Sequence, residues 1–152
     1  MGGKHGASRF RNYRAITDVI LRSFIDAGFV LSENMGYEAI GDGLIAHRGE
    51  IQCQGGIVLE VEKVLTILDG TGDNALVQTT YRSYHAYARG KGNIVRYCSG
   101  HDHRPYDHVH RYDAPATWNE ILPVQELWTE DEIPTLSDVL DELRDFYYTH
   151  EL

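Results

Sequence analysis

Cysteine is scarce in this chain: Cys53 and Cys98 are its only two among 152 residues. They lie far apart and form no Cys-x-x-Cys pair, which argues against a disulfide scaffold and for two free, partly buried thiols. Long apolar runs are absent as well. No stretch approaches the ~20 residues that cross a bilayer, so no membrane association is expected. The first residues, MGGKHGASRFRNYR, are basic but lack the apolar core of a signal peptide, which makes the cytoplasm the expected location. Bases are nearly missing from the C-terminal end: Glu120 to Leu152 holds ten acids and one base, Arg144.

The 42% hydrophobic and 24% charged fractions are those of an ordinary globular protein. The length suits one domain over residues 1–152 with a core of useful size, and residues 1–12, Gly-rich and aperiodic, are expected to be flexible. The net charge of −9 weighs against a general nucleic-acid binder. Its distribution is uneven, however. Arg82 to Arg111 contains six Lys/Arg against two acids, a local +4 before histidine is counted. Such asymmetry can place a cationic patch on an acidic body.

The hydrophobic spacing predicts an α+β fold. Ile16, Val19, Ile20 and Phe24 follow a helical rhythm that Gly28 ends. Ser32 to Gly43 reads as loop. Strands then follow over Gly43–Gln54, Ile57–Leu68, Ala75–Arg89 and Asn93–Cys98, with a short fifth at His108–Tyr112. They are separated by Gly55-Gly56, "DGTGDN" and "GKGN", all turn chemistry. Apolar residues at the odd positions of 57–68 are the mark of an antiparallel strand with one wet face. Prolines predict irregular chain over 114–134. A C-terminal amphipathic helix carries Leu136, Val139, Leu140, Leu143, Phe146 and Tyr147, capped by Thr135 or Ser137. The expected architecture is an N-terminal helix, a twisted antiparallel sheet of four to five strands and a closing helix.

The chemistry concentrates in "YRSYHAYARGKGNIVRYCSGHDHRPYDHVH" (Tyr81–His110). Tyr81, Ser83, His85, Tyr87 and Arg89 share a strand face. The next strand brings up Arg96 and Tyr97, and which of them faces His85 depends on a register the sequence leaves open. His101, His103, His108 and His110 follow within a few residues. Three readings fit this set. In the first it cleaves RNA without a metal. Imidazoles, with an ordinary pKa of about 6.5, serve as acid and base, arginines fork onto phosphate, and tyrosines stack bases. In the second, His101, His103, His108 and His110 hold zinc, each His-x-His pair projecting from one strand face with its side chains roughly 6.5–7 Å apart. In the third, the histidines are solvated or hydrogen-bonded and do no chemistry. A separate, non-enzymatic alternative is a binding module whose basic sheet face docks an acidic partner or nucleic acid.

Two segments, "GEIQCQGGIVLEVEKVLTIL" (Gly49–Leu68) and the Tyr81–His110 stretch, resemble the TumE-type toxins of prokaryotic type II toxin–antitoxin modules. The matching features are Tyr84-His85, Arg96-Tyr97 and the histidine loop, with Cys98 where an acidic residue is usual. The resemblance covers about two thirds of the chain. It implies a small toxin that acts on RNA and is neutralised by a cognate antitoxin protein. The expectation is then a metal-independent endoribonuclease that needs no cofactor, with a zinc-dependent His-rich hydrolase as the alternative. His108 or His110 would be the general base and His85 or His103 the general acid. Arg96 and Arg104 would hold phosphate, and Tyr84, Tyr97 and Arg89 would bind substrate. A homodimer is left open.

Overall fold

The computed structural model describes residues 4–100, 106–112 and 124–152. Nine strands form one antiparallel sheet: β1 (Ser8–Arg9), β2 (Val30–Glu33), β3 (Gly36–Gly41), β4 (Leu44–Cys53), β5 (Ile57–Asp69), β6 (Leu76–Ala88), β7 (Gly92–Cys98), β8 (Asp107–Arg111) and β9 (Gln125–Leu127). The helices are α1 (Phe10–Asp26) and α2 (Leu136–Thr149). The spatial order is β2-β4-β5-β6-β7-β8-β9, with β3 also on β4 and β1 on β6. No helix among the described residues is long and apolar enough to cross a membrane.

The α+β class stands, but the sheet is larger than the four to five strands expected. β3 forms within the stretch read as loop, and β9 within the proline-containing stretch read as irregular. Both lie at the sheet's margins, are short, and bury little, so they leave no period-two signal. At the N-terminus, Ser8 and Arg9 pair with Val77 and Leu76.

Both helices pack on one sheet face. Leu21 and Phe24 of α1 and Val139, Leu140 and Leu143 of α2 share a core with Leu59, Val61, Tyr84, Val95, Tyr97 and Val109. Burying each such side chain stabilises the fold by roughly 1.5–3 kcal/mol. The buried stripe of α1 runs through Thr17, Leu21 and Phe24, leaving Ile16 and Val19 largely exposed. Gly28 ends α1 with φ of +82°, and the Phe29 N–H reaches the Phe24 carbonyl at 3.1 Å, the wrap that a residue free to adopt positive φ permits. Thr135 caps α2 through a reciprocal box with Asp138.

Candidate functional site

Register decides which side chains meet. Glu60 pairs with His85, His85 with Arg96, and Arg96 with His110. One row, Glu60–His85–Arg96–His110, therefore crosses four strands on the face opposite the helices. Two positions along, Ser83, Cys98, His108 and Glu126 form a parallel row on the same face.

His85 Nε2 lies 2.7 Å from Asn93 Oδ1, and Glu60 Oε1 stands 3.6 Å from Nδ1, beyond hydrogen-bond reach. Arg96 points a guanidinium nitrogen at His110 Nε2, 3.5 Å away. No carboxylate lies within salt-bridge distance of Arg96 among the described residues. A shallow groove of about 390 Å³ runs between His85, Arg96, Ser83 and the glutamates Glu50, Glu60 and Glu62. His108 shares the face but is 1% exposed, with Nδ1 3.1 Å from the Tyr106 carbonyl. Ligand atoms of Cys98, His108 and His110 all lie within 4.8 Å of one another, close enough to converge on one metal ion. Burial pushes the Cys98 thiol up from its ordinary value. Cys53 is a buried free thiol, pushed up to about 12 by desolvation.

The expected residues divide between the two faces. His85, Arg96, His108 and His110 come together. Arg89 follows the end of β6, bonded to Gln52. Tyr84 and Tyr97, expected to position substrate, face the helices instead. Tyr84 is 1% exposed. Tyr97 donates to Glu142 Oε1 at 2.5 Å and accepts from Arg111 at 3.1 Å, tying β7 and β8 to α2. The pairing of Tyr84 with Tyr97 across β6 and β7 puts both in the core. His101, His103 and Arg104 lie outside the described residues.

A second polar constellation sits on the helix-covered face and was not expected. Tyr37 pairs with His47, His47 with Lys63, and Lys63 with Arg82. His47 is fully buried, stacks on Tyr37 with centroids 4.2 Å apart, and shares a 2.8 Å hydrogen bond with the Tyr13 hydroxyl. Desolvation, helped by the Lys63 charge, lowers His47 to about 3, so its ring is neutral. Lys63 interrupts the apolar odd positions of β5, and that interruption is the sequence signal for this row.

The fold and its two rows define an antiparallel-sheet α+β protein with polar chemistry on both sides of one sheet. No family model matches the chain, and neither does any curated protein or solved structure.

Proposed function

We propose that this protein is a toxin of a type II toxin–antitoxin module and cleaves RNA without a metal at the His85–Arg96–His110 row. The observation that carries the reading is Arg96, a guanidinium lacking a carboxylate partner among the described residues and flanked in register by two imidazoles. Strands about 4.8 Å apart set the flanking backbones roughly 10 Å from each other. Side chains leaning inward from that distance can bracket a phosphodiester. His110, whose Nε2 faces the Arg96 guanidinium, takes the 2′-hydroxyl proton as the 2′-oxygen attacks phosphorus. His85, on the other side of Arg96, gives a proton to the departing 5′-oxygen. Arg96 stabilises the charge that builds on the phosphoryl oxygens. The products are a 2′,3′-cyclic phosphate and a free 5′-hydroxyl. The antitoxin and the RNA target follow from the resemblance to TumE-type toxins, and His108, being buried, is set aside as the base.

Cleavage should therefore persist in EDTA and leave cyclic-phosphate ends detectable by mass spectrometry. His110→Ala should lower the rate at least ~100-fold with its circular dichroism spectrum unchanged. Full cleavage by this variant would remove the assignment. Growth inhibition that survives histidine substitution but not Arg96→Ala would indicate a binding module.

One observation favours a second reading. Cys98, His108 and His110 bring one sulfur and two imidazole ligands together, a donor set of the kind that suits zinc. Both readings call on His110, as the base in one and as a ligand in the other, so a single activity assay separates them. Activity abolished by EDTA, with one zinc per purified chain, selects the metal.

A further inference from the structure

A cavity of about 340 Å³ lies between α1, the segment Lys4–Ser8, the start of α2 and the inner face of β5 and β6. Its volume falls in the range of small-molecule sites. Lys63 projects from the middle of β5 and lines it. The residue is only 8% exposed. Most lysines in such a place carry the ammonium out to water along the stem. Here the ammonium stays under α1, over the ring faces of Tyr13 and Tyr84 at 5.8 and 5.3 Å. Among the described residues it has neither a hydrogen bond nor an ion pair.

The ring faces offset only part of the cost. Cation–π contact recovers less than dehydrating an ammonium costs. The neighbouring cations do not share a counter-ion with it. Arg82 is paired with Asp107 at 3.0 Å and Lys4 with Asp138 at 2.9 Å. His47, its cross-strand neighbour, is neutral. The cavity therefore holds one positive charge in excess. Ile16, Ile20, Val77 and Leu136 supply apolar wall, and Thr79 adds a hydroxyl to the lining. Ile16 is 58% exposed and marks where the cavity meets solvent.

We infer that this cavity binds a small anionic molecule, a carboxylate or phosphate head on an apolar body, with Lys63 as its counter-ion. The head sits against the ammonium between Tyr13 and Tyr84, and the body lies along the α1 side chains. The site is on the face opposite His85, Arg96 and His110, so it stands whether or not RNA is cleaved there.

Benzoate and phenyl phosphate share one apolar body and differ in the head, while benzyl alcohol carries the body alone. Calorimetric titration of the full chain at constant ionic strength should show one molecule of at least one of the two anions bound saturably, with a matching rise in Tm. The tighter of the two identifies the head group. Benzyl alcohol should not bind. Lys63→Met should weaken the anion at least tenfold, and Lys91→Met, an exposed control with the same charge change, should leave it unchanged. Lys63→Gln gives the same comparison if the methionine variant misfolds. Absence of saturable binding by both anions overturns the inference. So does equal binding by wild type and both Lys63 variants, or benzyl alcohol binding as tightly as the anions.

Discussion

At Lys63 a positive charge is buried under a helix, and desolvation, with repulsion from Arg82 added, lowers it to about 8 from the ordinary 10.5. Between those two values the unfolded chain binds a proton that the folded protein has lost. Stability should therefore rise as pH increases from about 8 toward 10.5. At pH 7 the charge costs about 3 kcal/mol relative to an unperturbed lysine. Lys63→Met, which keeps the stem and removes the charge, should raise stability at pH 7 by up to that amount and flatten the alkaline rise. Urea unfolding at a series of pH values checks both. An unchanged midpoint would mean that the ammonium is already compensated. The residue is legible in the sequence once the alternation is read strictly, because Lys63 occupies an odd position between Val61 and Leu65. Its chemistry stays hidden there, since only the folded register sets His47 and Arg82 on either side.

Elements reveal a different limit. The long strands and both helices follow from periodicity and turn residues, and their predicted bounds lie within a few residues of those observed. Register does not follow, and it is what separates His85 and Arg96 from Tyr84 and Tyr97. Alternation alone predicts that adjacent residues split between faces, but pairing Ser83 with Cys98 is what chooses Arg96 over Tyr97 as the neighbour of His85. The cross-strand row was thus within reach as a set of residues but not as a geometry. Margins are harder still. β2 and β3 lie end to end along β4, and the chain passes from one to the other at Asn34 and Met35, directly beside Gly49. A Cβ on Gly49 would stand 2.8 Å from the Asn34 carbonyl oxygen and from the Met35 Cα. Both contacts are to backbone, which cannot swing aside. Gly49→Ala should destabilise the protein by about 1–3 kcal/mol, the usual cost of overpacking. A thermal shift indistinguishable from wild type would show that the crossing can relax.

For the whole molecule, the sequence gives a net charge of −9 with a basic central segment, and the fold divides that segment between faces. Arg96 and Arg89 lie on the groove side, while Arg82 and Arg111 are paired with Asp107 and Glu142 on the helix side. A cationic field summed over the segment therefore overstates what the proposed RNA substrate would meet. Contact with two or three phosphates of a single strand implies a slope of log affinity on log salt of only about −1.4 to −2. Titrating RNA with the His110→Ala variant, so that none is cleaved, at several salt concentrations measures it. A much steeper slope would point to a broader nucleic-acid surface elsewhere on the molecule.

The arrangement along β4 carries one more consequence. One margin of the sheet is broken into two short pieces with irregular register, and at the other, among the described residues, the ladder ends on β9, three residues long. Among the described residues, neither rim presents a long, straight row of backbone donors and acceptors on which a second copy could template itself. Among the described residues, both margins are therefore poor templates for fibril-like stacking, which favours side-chain surfaces for any pairing of two copies.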